Sequence, residues 1–120
     1  MDIETSLAGY HSAKKRLEGS WSSPSALSDL AVKIATYGTY IGEHLGDSKA
    51  EYEVNKSKMY LQAIEDKKSA TQADNDSRSK NAETRAVVLK LEIIHKDLFS
   101  LVSVIQSRLK VLESEARSNI

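Results

Sequence analysis

The sequence predicts an all-α protein, a long-helix bundle or coiled coil that forms oligomers. Only one Pro and five Gly occur among the 120 residues, so few residues interrupt helices. Aromatic residues make up 6% of the chain, which fits helices packed mainly by Leu, Ile, Val and Ala. Apolar residues also alternate at spacings of three and four over long stretches, which is the pattern of one helix face.

The composition excludes several classes of function. The chain has no Cys, so disulfide scaffolds, thiolate metal sites and cysteine nucleophiles are ruled out. No apolar run approaches the roughly 20 residues needed to span a bilayer. The N-terminus has neither the basic nor the apolar region of a signal peptide. We therefore expect a soluble, cytoplasmic protein without membrane contact.

A short amphipathic helix is predicted within residues 1–19, separate from a helical hairpin domain over residues 20–120. Between them, a Gly- and Ser-rich break contains Trp21, which either caps the edge of a core or anchors a partner. The apolar stripe of the short helix comprises Ile3, Leu7, Tyr10 and Leu17.

The first arm of the hairpin is predicted to begin at Pro24, with Ser23 as its N-cap. Whether it forms one helix or two is left open. Gly38, Gly42 and Gly46 share one face and each costs about 1 kcal/mol of helix stability relative to Ala. Such a cost indicates close approach of another helix or a bend, and a helix end near Gly46 is the alternative. The heptad seam of this arm comprises Leu27, Leu30, Ile34, Tyr37 and Ile41.

A polar hinge is predicted at about residues 65–85, because this stretch has no apolar residue larger than Ala. It forms either a flexible loop or a solvated helical tip. Ser69 begins a segment with capping-box spacing, which favours a new helix from Ala70.

The last helix has the clearest pattern, with a heptad seam that only His95 interrupts. A second apolar set widens this face, and two adjoining stripes need two neighbours, from the same chain or from another copy. This width is the main reason to expect a homo-oligomer. The seam comprises Val88, Leu91, Leu98, Val102, Ile105, Leu109 and Leu112, and the second set comprises Val87, Ile94, Leu101, Val104 and Val111.

No catalytic motif stands out, so the sequence predicts a protein that is not an enzyme and uses no cofactor, metal or small-molecule substrate. Glu92 and His95 have the Glu-x-x-His spacing of di-iron bundles, but the second such pair is missing. We interpret His95 as a polar residue that fixes the register of the seam, or as a core histidine with its hydrogen bonds satisfied.

The order of these elements resembles small helical proteins of bacteriophage recombination and replication loci, in particular the UvsY-type recombination mediators. The resemblance covers roughly residues 25–112. It rests on a heptad helix with Tyr and Leu near a His (37–45), a Lys-rich helix (53–61), the polar hinge, and the long last helix (89–98 and 105–110). It implies a closed oligomer that binds single-stranded DNA and helps to load a recombinase onto DNA coated by single-strand-binding protein.

The resemblance implies DNA contacts at Lys56 and Lys58, although the Lys-x-Arg pair that the family carries on its middle helix is absent here. Lys67 and Lys68 would join them in a positive ring if the chain oligomerises. The 17 basic residues balance 17 acidic ones, so only such a local patch would attract phosphate. The alternative is a helical adaptor, assembly factor or chaperone that acts only through protein–protein contacts.

Overall fold

In the computed structural model the described residues, 1–19 and 23–118, form four helices and contain no strand, which confirms the predicted all-α fold. Trp21 lies outside the described residues. Within them, no helix is both long and apolar enough to cross a bilayer. The helices are α1 (Ile3–Leu17), α2 (Pro24–Glu65), α3 (Ala70–Lys80) and α4 (Ala82–Ser118).

Polar side chains cap the starts of three helices. Asp2 accepts a hydrogen bond of 2.7 Å from the backbone N–H three residues further along, at the start of α1. Ser23 and Ser69 accept equivalent bonds of 3.3 Å and 3.1 Å at the starts of α2 and α3. Both predicted N-caps are confirmed. The arm that begins at Pro24 is one continuous helix of 42 residues.

The end of α2 is closed by a Schellman motif without glycine. The backbone N–H of Lys68 donates to the carbonyl of Ala63, and that of Lys67 donates to the carbonyl of Ile64, each with an N···O distance of 3.0 Å. This geometry places Lys67 in the left-handed region, with φ at 64°. Glycine usually occupies this position because a Cβ there is sterically unfavourable.

The chain divides into two compact units. The first unit comprises Met1–Gly42 and Ile93–Ile120, and the second comprises Glu43–Glu92. Helix α1 belongs to the first unit and α3 to the second, while α2 and α4 each contribute a segment to both. Residues 1–19 therefore share a unit with part of the predicted hairpin domain.

In the first unit, the segments of α2 and α4 pack against each other in opposite directions. Gly42 lies against His95, and Gly38 lies against Leu98, so rising numbers on α2 meet falling numbers on α4. The core of this unit is apolar, with little or no exposure of its largest side chains. It comprises Tyr10, Ala13, Leu17, Leu27, Leu30, Ile34, Ile41, Ile94, Leu98 and Ile105.

Within the first unit, polar contacts also join helix α1 to α4. The hydroxyl of Tyr10, a side chain only 4% exposed, donates to Asp97, and Lys14 forms an ion pair of 2.9 Å with the same carboxylate. These two contacts hold the pKa of Asp97 below its usual value, while burial and Asp97 raise the pKa of Tyr10. The guanidinium of Arg108 donates a hydrogen bond of 2.8 Å to the carbonyl of Leu17 and so caps the end of α1.

The second unit contains the polar segment that was predicted as a loop or helical tip. This segment forms α3, which buries only small side chains, Ala73 and Ser77. Ion pairs join Lys68 to Asp76, with an N···O distance of 2.7 Å, and Lys49 to Glu92, with an N···O distance of 2.9 Å. The other buried residues of this unit are Leu45, Ala63, Asn81, Val88 and Leu91.

Candidate functional site

An open apolar groove of about 330 Å³ runs between α2 and α4 in the first unit. Its walls combine small residues from α2 with larger ones from α4. The lining residues are Ile34, Ala35, Gly38, Thr39, Gly42, His95, Leu98, Phe99 and Val102.

The groove lies on the opposite side of the α2–α4 pair from α1. Two residues along a helix correspond to a turn of about 200°. Tyr37 contacts α1, so Ala35 and Thr39, each two residues away from it, lie on the far side of α2. On α4, Asp97 contacts α1, and Phe99 lies two residues further along. One side of the pair is therefore covered by α1 and the other side carries the groove.

Two glycines allow α2 and α4 to approach closely beneath the groove. A Cβ at Gly42 would lie 2.9 Å from Nε2 of His95, which is too close, and one at Gly38 would lie 3.7 Å from Leu98. The expected close approach of a neighbouring helix is confirmed at these two positions. A Cβ at Gly46 would meet no atom within 4 Å, so this glycine has no packing role among the described residues.

Large apolar side chains flank the groove on both sides. On α4, the ring of Phe99 is 65% exposed and meets the ring of His95 edge to face, with centroids 5.0 Å apart. On α2, Val32 is 66% exposed and lies one turn before Ala35, on the side of the helix that faces the groove. The groove therefore has small residues on its floor and exposed apolar residues at its rims.

Sequence reasoning did not single out Phe99. Its position lies outside both apolar stripes of α4, where the heptad pattern predicts a solvent-facing side chain. The available signal was the occurrence of the only Phe of the chain at a position that the pattern assigns to water.

The residues predicted to form an oligomer or partner interface are mostly buried within this single chain. Leu27, Leu30, Ile34, Ile41, Leu98 and Ile105 are buried in the first unit, and Val88 and Leu91 in the second. Tyr37, Val102, Leu109 and Leu112 are half-buried. Contacts with another copy stay a prediction.

The second apolar stripe of α4 is covered only in part. Ile94 is buried and Leu101 half-buried, so the same chain supplies neighbours for these positions. Val87, Val104 and Val111 remain 42–56% exposed.

The four lysines predicted to contact DNA lie in the second unit, among carboxylates. Lys68 is paired with Asp76, and Lys67 takes part in the backbone cap at the end of α2. Lys58 is exposed. Lys56 lies 6.0 Å from the ring centre of Tyr52 and lines a second open groove of about 320 Å³. Glu53 and Asp74 line that groove as well, so its charge is mixed.

The Glu-x-x-His motif does not lie in a cluster of metal ligands. Glu92 is paired with Lys49, and His95 lines the apolar groove. Among residues 1–19 and 23–118, no group of three or more acidic or histidine side chains could hold a metal ion.

Comparisons with protein-family models, with curated proteins and with solved structures gave no match to this chain.

Proposed function

We propose that this protein is a non-enzymatic helical adaptor of the cytoplasm, whose first-unit groove receives an amphipathic helix from another protein molecule. The observation that carries this proposal is the unequal covering of the α2–α4 pair. Helix α1 covers one side, and the other side presents a groove with exposed Phe99 and Val32 at its rims. A fourth helix in the groove would complete a four-helix bundle.

The size of the lining residues suits a helix as the occupant. Helix axes pack 8–10 Å apart, and the closest approach requires small side chains at the contact. Ala35, Gly38, Thr39 and Gly42 supply such a surface along α2. Full burial of an exposed Phe or Val side chain contributes about 1.5–3 kcal/mol. An incoming helix that covers Phe99 and Val32 therefore gains enough to offset part of its ordering cost.

Groove-filling variants test this function. A display library of amphipathic helical peptides is selected for binding to the full chain, and the selected peptides are then measured against two variants. Ala35→Trp fills the groove from an exposed position of its wall. Lys33→Trp is the matched control, because its exposed position two residues earlier is turned about 200° away.

We expect the selected peptides to carry apolar residues at spacings of three and four. Their affinity falls at least about tenfold for Ala35→Trp, a loss of about 1.4 kcal/mol, and is unchanged for Lys33→Trp. Selection of no helical peptide, or equal binding to both variants, would contradict the proposal.

The narrower expectation of a phage recombination mediator stays a prediction, with single-stranded DNA and a recombinase or single-strand-binding protein as partners. It is tested with a labelled oligo-dT at low salt, to which we expect binding that weakens steeply as salt rises. Replacement of Lys56 and Lys58 by Gln would reduce this binding. Absence of any complex at low salt, with the chain folded, leaves the adaptor as the remaining function.

A further inference from the structure

We propose that Met59 is a site of reversible oxidation, at which hydrogen peroxide converts the thioether to a sulfoxide and weakens the contact between α2 and the α3–α4 junction. Met59 is half-buried on the α2 segment of the second unit, so part of its side chain meets solvent. The chain has no Cys, and its only other Met is Met1, which precedes α1. Met59 therefore carries the only oxidisable sulfur within the helices.

The sulfur of Met59 accepts a hydrogen bond from a buried amide. Nδ2 of Asn81 donates to Sδ of Met59 over an N···S distance of 3.2 Å. The same nitrogen donates to the carbonyl of Ser77 over 2.8 Å. An amide nitrogen carries two hydrogens, so both are used here. Because Asn81 is only 3% exposed, the hydrogen that faces the sulfur depends on the thioether for its acceptor.

Asn81 is the single residue between α3 and α4. Its backbone N–H donates to the carbonyl of Arg78 in α3, and its carbonyl accepts from the N–H of Arg85 in α4, with N···O distances of 3.3 Å and 3.0 Å. The contact with Met59 attaches this junction to α2. A change in the acceptor strength of the sulfur therefore acts where three helices of the second unit meet.

The hydrogen bond determines the side from which the sulfur is oxidised. A hydrogen bond from Nδ2 of Asn81 to a new oxygen would alone need about 2.9 Å. Sδ and Nδ2 are 3.2 Å apart, so an oxygen bonded to the sulfur has no room between them. Peroxide must attack the lone pair of Met59 that faces away from Asn81. Attack from one side produces one of the two sulfoxide epimers.

The oxidation step is balanced by the peroxide alone. The thioether sulfur gives an electron pair to one oxygen of hydrogen peroxide, so that an S–O bond forms and the O–O bond breaks. The proton of the transferred oxygen passes to the departing hydroxide, which leaves as water. The sulfur is oxidised, the peroxide is reduced, and a methionine sulfoxide reductase reverses the change.

The sulfoxide destabilises the junction because its sulfur is a poor hydrogen-bond acceptor. The new S–O bond draws electrons from the sulfur of Met59, and the oxygen points away from Asn81. The buried N–H of Asn81 then has no acceptor, which costs stability. The side chain of Met59 also becomes polar where it had packed as an apolar group.

Peroxide treatment of the folded full chain tests the site. The chain is digested, and the peptide that contains Met59 is weighed before and after treatment with each of the two reductase types, which are specific for opposite epimers. We expect a gain of one oxygen, removed almost entirely by one reductase and hardly by the other. A chain oxidised in urea is the control, and there each reductase should remove about half of the oxygen.

Thermal unfolding measures the consequence. We expect oxidation to lower the melting temperature of the parent chain by at least about 4 °C, and treatment with the matching reductase to restore it. Met59→Leu is the matched variant, because Leu has a similar volume and no sulfur. Peroxide then oxidises only Met1, which is 51% exposed, and leaves the melting temperature of this variant unchanged.

Asn81→Ala tests the role of the hydrogen bond. This variant has no amide to block one side of the sulfur or to lose its acceptor, so oxidation should give both epimers and a smaller drop in melting temperature. The same epimer and the same drop as in the parent chain would overturn the role of Asn81. No oxygen on Met59 in the folded parent chain, or an oxidised parent chain that melts as before, would overturn the proposal even if Asn81→Ala does not fold.

Discussion

Four glycines lie within helices, and the Cβ that an alanine would add at each lies at a different distance from the nearest neighbouring atom. At Gly46 the Cβ meets no atom within 4 Å, and at Gly38 it makes an ordinary contact of 3.7 Å with Leu98. At Gly42 it lies 2.9 Å from the imidazole of His95. At Gly9 on α1 it overlaps the ring of Tyr37. The same chemical change, Gly to Ala, therefore meets progressively closer neighbours from Gly46 through Gly38 and Gly42 to Gly9.

Two opposing effects determine the expected stability changes. Replacement of Gly by Ala inside a helix contributes about 1 kcal/mol through helix propensity. Overpacking costs about 1–3 kcal/mol where the new atom meets a neighbour that cannot move freely. We therefore expect Gly46→Ala to stabilise the chain by about 1 kcal/mol and Gly38→Ala by slightly less. Gly42→Ala should be near neutral or destabilising by about 1 kcal/mol, and Gly9→Ala destabilising by about 1–2 kcal/mol.

Urea unfolding followed by circular dichroism measures these changes, with Gly46→Ala as the matched control. A second step asks whether the named neighbour causes the loss: Tyr37→Leu in the Gly9→Ala background should recover part of it, a coupling that a double-mutant cycle quantifies. Equal stabilisation by Gly9→Ala and Gly46→Ala would refute the packing of α1 against Tyr37 and α2.

Three further predictions concern single contacts. Lys67→Gly relieves the left-handed backbone at φ 64° and should stabilise the second unit by about 1 kcal/mol in urea unfolding; loss of stability would refute this account of the α2 cap. Asp97→Asn should lower stability at neutral pH. The fold lowers the pKa of Asp97. The stabilisation that its charged carboxylate contributes is therefore complete above pH 3.8, the ordinary pKa of an Asp, and is lost as the pH falls through the lower pKa of the folded state. The difference between variant and parent chain should therefore shrink at the most acidic pH, and a pH-independent difference would contradict it. Leu98→Asp places a carboxylate at a side chain 3% exposed and should abolish the cooperative melt, which an unchanged melting temperature would disprove.

The helices were predictable from sequence because their signals are local. Ser23 and Ser69 bond to backbone groups three residues away, and the apolar spacing of α2 and α4 repeats within each helix. The continuity of α2 was not predictable, since glycines within it are compatible with either packing or an end. Contact with α4 resolves this question for Gly38 and Gly42, and such contacts join residues that are distant in sequence.

The candidate site was less predictable than the fold. The heptad pattern identified the buried seam, which includes Ile34 and Leu98, but a seam covered within one chain leaves open which surface meets a partner. That surface depends on where α1 docks, and the docking rests on Tyr10 and Asp97, which are 87 residues apart. No spacing rule connects residues at that separation. Phe99 could be recognised as a rim residue only after α1 was placed on the opposite side.

The interpretation of the basic residues has the same limit. The basic residues from Lys56 to Lys68 were grouped because they lie near one another along the chain. In the structure Lys68 pairs with Asp76, and Lys56 shares a groove with Glu53 and Asp74. The charge that a ligand meets therefore depends on α3, whose position relative to α2 the sequence did not define.

The central claim, an open groove that a second helix covers, is tested most directly by the mobility of a nitroxide attached to a single Cys at Ala35. We predict a mobile label in the protein alone, and an immobilised label once a selected helical peptide is added. A label at Lys33 should stay mobile under both conditions. A label at Ala35 that is immobile in the protein alone, or still mobile after the peptide is added, would contradict the claim.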